Sequence, residues 1–175
     1  MPFTVLLGGA RSGKSDLAVR LAASSARSVV VVATAEARDE EMAERIRRHR
    51  AARPAPWKTL EEPLAVGEAI AGVDPEAFVV LDCVSLWVSN ALESGVDDDR
   101  IAEDAGEIAE CLRGRHGPAA VVTNEVGLGI VPVNALARRF RDVLGRVNVV
   151  FAAAAAQTFL VVAGKALPLE EPTLA

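Results

Sequence analysis

The chain has no tyrosine and aromatic residues make up only 4% of it, so alanine, valine and leucine have to build any core. An excess of positive charge is also missing. With 19 basic against 24 acidic residues the formal net charge is −5, which argues against nucleic acid as the main partner, because phosphate-backbone binders present a basic surface. No apolar run reaches the ~20 residues that a membrane-spanning helix needs; the longest candidate, Val147 to Ala156, is too short and too rich in alanine. No basic stretch and no cleavage site precede the first apolar segment, so a secretory signal is not expected and the cytoplasm is the expected compartment. Cysteine is limited to Cys83 and Cys111. The pair fits neither a metal spacing nor a disulfide framework, and both read as small buried hydrophobes of a reducing compartment.

What is present is a pattern. The 175 residues suit one domain with a sizeable core, and short valine-rich runs alternate with amphipathic stretches, as in βαβ units around a parallel sheet. Strands are expected at Phe3 to Leu7, Ser28 to Ala33, Trp57 to Leu60, Ala77 to Leu81, Ala119 to Thr123 and Thr158 to Ala163. Helices are expected at Gly13 to Ala26, Asp39 to Arg53, Pro63 to Ala71, Asp97 to Arg113 and Asn134 to about Ala155, the last carrying a stripe of Leu136, Phe140, Val143, Leu144, Val147 and Phe151. The segment after Gly164, with two prolines and two glutamates, lacks periodicity and is expected to be loose. The fold class is therefore α/β: a single domain over residues 1–175 with the fold of the P-loop NTPases, a mainly parallel sheet carrying helices on both faces, and ligands bound at the carboxyl ends of the strands.

The first strand leads into Gly8-Gly9-Ala10-Arg11-Ser12-Gly13-Lys14-Ser15, and a helix follows. This is G-x-x-x-x-G-K-[ST] in the strand–helix context that the motif requires. Its glycines let backbone amides turn toward phosphates, and the helix N-terminus adds positive potential. In such loops the lysine, here Lys14, reaches the β- and γ-phosphates, while the hydroxyl of Ser15 is a ligand for Mg²⁺. Asp82, directly after four apolar strand residues, is the natural second ligand for that ion; an aspartate at a strand end can also cap the next helix. Neither N-K-x-D nor a D-x-x-G after the second strand, the marks of a guanine-nucleotide switch, is present; Asp82 is followed by Cys83-Val84-Ser85-Leu86.

Arg45, Arg47, Arg48, Arg50 and Arg53 crowd around His49. On a helix Arg45, His49 and Arg53 share one face, and Met42, Ile46 and His49 form an i, i+4, i+7 series, so the imidazole sits where an apolar stripe meets a basic one. Two readings follow. The segment is a solvated charged helix with Glu40, Glu41 and Glu44 balancing the arginines, or the arginines bind phosphates and His49 is a nucleophile or acid–base group, kept neutral by the surrounding cations. His116, between Arg115 and Gly117, reads as a residue of a helix end.

The ordered blocks GGARSGKS, A-T-A at 33–35, D-E-E-M-A-E-R-I-R-R-H-R at 39–50, R-P-A-P-W at 53–57, E-E-P at 61–63 and T-N-E-V-G-L-G-I-V-P at 123–132 resemble the bifunctional adenosylcobinamide kinase/adenosylcobinamide-phosphate guanylyltransferases from Phe3 to about Gly164. The resemblance implies two reactions of cobalamin biosynthesis. ATP or GTP phosphorylates the aminopropanol hydroxyl of adenosylcobinamide. GTP then passes GMP to that phosphate through a guanylyl-histidine, giving adenosylcobinamide-GDP and pyrophosphate. It places the covalent GMP on His49. Nucleotide contacts map onto Gly8 to Ser15, onto Ala33, Thr34 and Ala35, onto Arg50, Ala51, Ala52 and Arg53, and onto Glu61 and Asp82. It implies Mg²⁺ as cofactor, GTP and ATP as co-substrates, a corrinoid substrate and a homo-oligomer, commonly a trimer. Glu125 has three readings, activating the cobinamide hydroxyl, binding substrate or capping structure, and substrate binding is the one assigned; its loop carries Gly127 and Gly129, which permit unusual backbone angles. The tail after Gly164 is longer and more acidic than the resemblance leads one to expect. Two other functions compete: a P-loop kinase of another small molecule, without a covalent histidine, and a non-catalytic nucleotide switch.

Overall fold

The computed structural model describes residues 3–51 and 53–171. In chain order the elements are β1 (Phe3–Leu7), α1 (Lys14–Ser24), β2 (Val29–Ala33), α2 (Glu40–Ala51), β3 (Lys58–Glu61), α3 (Val66–Ala71), β4 (Phe78–Asp82), α4 (Val84–Glu93), α5 (Asp98–Gly114), β5 (Ala119–Val122), α6 (Ala135–Ala154), β6 (Gln157–Val162) and β7 (Lys165–Leu169). The strands form one sheet in the order β3-β2-β4-β5-β1-β6-β7. All neighbours run parallel except β7, which turns back antiparallel on β6. The α/β class expected from the alternation is the fold observed.

Strand residues alternate between two unequal layers, because successive side chains leave a strand on opposite faces. Phe3, Val5, Val30, Val32, Val79 and Leu81 point into a large core closed by α3, α4, α5 and α6, where Ile70, Trp87, Ile108, Leu112, Leu144 and Phe151 are buried. Leu6, Val29, Val31, Phe78 and Val80 point the other way, onto Ala18 and Ala22 of α1. With both faces covered the inner strands are apolar throughout, as parallel sheets require. Side-chain caps start the two long helices: Asp97 accepts from the Asp99 amide, and Asn134 accepts from Leu136 and Ala137.

Three expectations change. Val84–Glu93 is a helix that the pattern does not announce; Val84, Ser85, Trp87, Val88, Asn90, Ala91 and Leu92 are all buried, and a helix enclosed on most sides loses its amphipathic period. The tail after Gly164, expected to be loose, supplies β7 from Lys165 to Leu169. It is an exposed edge strand, where Pro168 is tolerated because an edge position need not donate to a further neighbour. Leu136, assigned to the inner stripe of α6, is 56% exposed in its first turn.

The opposite end of the sheet from the glycine loop is held by Arg115. Its guanidinium is buried and donates to the carbonyls of Ile70, Val73, Asp74 and Ala77 at 2.7–3.3 Å. Arg115→Ala removes this donor from all four carbonyls. Those of Ile70 and Asp74 keep the amides of Val73 and Ala77, while those of Val73 and Ala77 lose the Arg115 donor, each a cost of about 1–3 kcal/mol when left without a partner. We expect it to lower unfolding free energy by roughly 3 kcal/mol or more in urea titrations, with nucleotide affinity of the folded fraction unchanged.

Candidate active site

A cleft of about 480 Å³ opens at the carboxyl ends of β1, β4 and β5 and is roofed by α2. Its floor is the turn between β1 and α1. Gly8 has no room for a side chain, since a Cβ there would lie 2.3 Å from the carbonyl oxygen of Val161. Gly13 takes a left-handed backbone angle, φ 96°, and a Cβ on it would press 3.1 Å from Cα of Gly164. Gly164 is the turn between β6 and β7, and its amide donates to the Ser12 carbonyl at 2.8 Å. The C-terminal hairpin thus buttresses the glycine turn from beneath. Lys14 is buried and its Nζ donates to the Gly9 carbonyl at 2.6 Å. Burial pushes its ammonium below the ordinary lysine value, an effect the neighbouring Cys83 and Asp82 partly offset and Arg45 reinforces.

Asp82 ends β4 opposite this turn. Its Oδ1 accepts from the Ser15 hydroxyl at 3.5 Å, and its Oδ2 accepts from an Arg53 guanidinium N–H at 3.2 Å. It does not cap α4, whose N-cap is Cys83 with no side-chain hydrogen bond. The loop conformation is fixed by Thr34. The Thr34 hydroxyl donates to the Cys83 carbonyl at 2.7 Å and accepts from the Cys83 amide at 3.0 Å, while the Thr34 amide donates to the Asp82 carbonyl at 3.2 Å. Cys83 also faces the cleft, but burial first and the Asp82 charge second push its thiol up, so it is a protonated, weak nucleophile at neutral pH.

The roof is the charged helix. None of the residues of α2 is buried, so its folding depends on local pairs. Asp39 accepts from the Met42 amide at 2.6 Å, and Glu44 pairs with Arg47 at 2.5 Å and Arg48 at 3.6 Å, each pair contributing only a few tenths of a kcal/mol. Met42, Ile46 and His49 line the cleft together with Arg45. The apolar stripe found in the sequence therefore faces the cleft and not the core. The His49 Nδ1 lies 3.9 Å from Asp82 Oδ2, and Arg50 pairs with Glu61 across the cleft mouth at 3.1 Å. Arg53 is held between Asp82 and the Thr59 hydroxyl, 3.3 Å away.

The structure brings together most of the residues singled out from the sequence. Ala10 to Ser15, Ala33, Ala35, His49, Arg50, Arg53, Glu61 and Asp82 all line the one cleft. Gly8 and Gly9 shape the turn from behind. Thr34 is fully buried below the floor, where it fixes Asp82 and Cys83 and lies out of reach of a ligand. Ala51 is exposed at the end of α2 and does not line the cleft; Ala52 lies outside the described residues. Glu125 does not line the cleft either: its carboxylate turns back to accept from the Gly127 amide at 2.5 Å. Cleft residues that the sequence did not single out include Thr59 and Asn124. Asn124 could have been found by its place two residues past the end of β5, where its side chain donates to Ser85 at 3.0 Å.

Residues 4–169 match the family described as cobinamide kinase / cobinamide phosphate guanyltransferase. The chain belongs to that family. Curated relatives agree. The bifunctional adenosylcobalamin biosynthesis protein CobP of Pseudomonas aeruginosa is 42% identical over 167 residues, covering 95% of this chain and 96% of that protein. CobU of Escherichia coli is 44% identical over 176 residues, covering 91% and 95%. Among solved structures, an ATPase of a type III secretion system aligns with a TM-score of 0.57 at 12% identity over 91% of this chain and 50% of its own. A Pyrococcus horikoshii protein aligns equally well at 8% identity, over 95% and 85%. These distant likenesses show the fold alone. Within the cobinamide kinase/guanyltransferase family, a cleft that gathers a glycine turn, a strand-end carboxylate and an arginine-flanked histidine is the place to look for the chemistry. Among the described residues no helix is long and apolar enough to cross a membrane.

Proposed function

We propose that this cleft performs both family reactions: phosphorylation of the aminopropanol hydroxyl of adenosylcobinamide by ATP or GTP, then transfer of GMP from GTP to the resulting phosphate through a guanylyl-His49 intermediate. One observation carries the reading. His49, although placed on a helix with no buried residue, faces the same cleft as Lys14, Ser15 and Asp82. A nucleotide held by its phosphates on the glycine turn therefore lies under an imidazole.

The turn's amides and the Lys14 ammonium bind the β- and γ-phosphates, and Lys14 exchanges its contact with the Gly9 carbonyl for phosphate oxygens. Ser15 and Asp82 present two hard oxygens facing each other at 3.5 Å. That suits Mg²⁺, which takes one or two protein oxygens and fills its octahedron with phosphate and water. When bound there, Mg²⁺ would neutralise charge on the phosphates. Arg45, Arg48 and Arg50 line the roof and would offset the charge of the departing pyrophosphate. His49 is the group suited to attack the α-phosphate, whereas the Cys83 thiol that also lines the cleft is held protonated by burial.

The reading includes a homo-oligomer, with a trimer the form expected, working in the cytoplasm. Leu128, Ile130, Val131 and Val133 are 58–97% exposed in the loop before α6, more contiguous apolar surface than a solvated loop needs. Light scattering on the purified chain checks the assembly state.

The function is tested by incubating the purified chain with adenosylcobinamide, Mg²⁺ and ATP, then with GTP. Formation of the phosphate and then of the GDP derivative with release of pyrophosphate is expected. Phosphorylation of an unrelated alcohol, with no corrinoid turnover, would favour a different small-molecule kinase. The cradle gives a second prediction. Gly13→Ala puts a Cβ on a left-handed residue pressed against Gly164, a strain of about 1–2 kcal/mol. Triphosphate affinity should fall about tenfold, equivalent to ~1.4 kcal/mol, as read by calorimetry.

A further inference from the structure

We propose that Asp82 has a second task beside its metal-facing one: it positions His49 through the ring's Nδ1–H, so that Nε2 is the atom that takes GMP. The inference rests on the guanylyl-histidine reading above and specifies which tautomer and which nitrogen that reading uses.

Asp82 is built to act on two sides. Its backbone is set by strand pairing, with Ala33 on one flank and Val122 on the other, and by the Thr34 hydrogen bonds to the Asp82 carbonyl and the Cys83 amide. Its side chain is only 15% exposed. Oδ1 faces Ser15, while Oδ2 faces the roof, 3.2 Å from Arg53 and 3.9 Å from His49 Nδ1. A carboxylate oxygen has two lone pairs, so Oδ2 can accept from Arg53 and from the ring together. Arg53 is itself steadied by Thr59, which keeps Oδ2 turned toward the roof. Among the described residues Asp82 is the one acidic group in ion-pair range of His49.

The 3.9 Å separation is longer than a hydrogen bond. Such contacts in ligand-free sites commonly shorten once the substrate closes the site. The side of the ring that faces the carboxylate is what matters here. A proton on Nδ1 pointing at Asp82 leaves the lone pair on Nε2, directed away from Asp82. In the transfer, that lone pair forms the N–P bond to the α-phosphorus. The bond from the α-phosphorus to the bridging oxygen breaks, and its electron pair leaves with pyrophosphate. The ring keeps its Nδ1 proton and becomes a positively charged N-phosphoryl imidazolium, whose charge Asp82 Oδ2 faces. When the substrate phosphate attacks, the electron pair returns to Nε2 and the original tautomer is restored. No proton has to enter or leave the ring.

The chain has only two histidines, His49 and His116, so nitrogen NMR of protein labelled at its histidine nitrogens reads the tautomer directly. The spectrum is taken with Mg²⁺ and a GTP analogue that cannot be cleaved at the α-phosphate, at about pH 9, above the ordinary imidazole range near 6.5, with His49 assigned by its absence from His49→Ala. The expected result is an Nδ1–H majority for His49, reverting to the Nε2–H form usual for free histidine in Asp82→Asn. An Nε2–H majority in the unsubstituted protein, or a tautomer that ignores Asp82→Asn, overturns the proposal. The second measurement needs no variant. After incubation with GTP and Mg²⁺ and quenching in alkali, phosphorus–proton correlation on the His49 peptide should show GMP on Nε2. GMP on Nδ1 overturns this inference alone, whereas a His49 peptide free of GMP overturns the guanylyl-histidine reading and this inference with it.

Discussion

His49→Ala is expected to lower GMP transfer by roughly 10⁴- to 10⁶-fold, the range seen when an enzyme loses its nucleophile, while phosphorylation of adenosylcobinamide stays within about tenfold of the unsubstituted rate. The split follows from geometry. The imidazole belongs to the roof, 43% exposed on α2, and the phosphate turn belongs to the floor. Removing the ring takes no hydrogen bond from Lys14 or Ser15 and opens no cavity in either core. An exposed helical position accepts alanine with little change in stability, within about 0.5 kcal/mol. The variant should therefore fold, bind nucleotide and act as a kinase. Separate assays of phosphate and GMP transfer on one preparation check the split. Equal losses in both would mean that His49 serves the common binding step and not the covalent one.

Lys14→Met should remove both activities at once. The floor serves each reaction, so losing its ammonium is expected to cost roughly 10²- to 10³-fold in each kcat, the usual effect of deleting one preorganised donor to developing charge, with weaker triphosphate binding besides. Stability should move the other way. Burial holds the folded-state pKa of Lys14 below its value of 10.5 in the unfolded chain. Between those two values the unfolded state binds more protons, so stability rises with pH there, and below both values the buried charge is a standing cost. Methionine keeps the stem and deletes the charge, so the variant should unfold at equal or higher denaturant concentration at neutral pH. Loss of activity with no loss of stability distinguishes a functional lysine from a structural one. A variant that unfolded early would contradict this account of Lys14.

What could be read from the sequence was what is encoded locally. The glycine turn is a contiguous motif whose amides, lysine and hydroxyl act within eight residues, so its chemistry was visible without the fold. Asp82 was visible because four apolar residues in a row mark a buried strand and the first carboxylate after them stands at its carboxyl end. The stripe of Met42, Ile46 and His49 was also visible, but not its destination: an apolar helix face suits a core as well as it suits a ligand cleft, and only the placement of α2 over the strand ends decides between them. Helix α4 escaped because its burial on most sides erased the period by which helices are recognised. Strand β7 escaped because an exposed edge with a proline carries no alternation. Its role was further hidden by distance along the chain, since Gly164 supports a turn about 150 residues earlier. Thr34 and Glu125 show the remaining limit. Both stand in motif-like blocks beside strand ends, yet Thr34 turns down to fix a backbone loop and Glu125 turns back on its own loop. Side-chain direction at such corners is set by tertiary contacts that no spacing rule contains.

The most direct measurement incubates the purified chain with GTP labelled at the α-phosphate and Mg²⁺, denatures it in alkali, and maps the label by peptide mass spectrometry. One GMP, stable to alkali and released by acid, should sit on the peptide that contains His49 and vanish in His49→Ala. Label that persists on the His49→Ala protein, or an unsubstituted protein that turns over GTP without ever carrying GMP, would contradict the covalent mechanism.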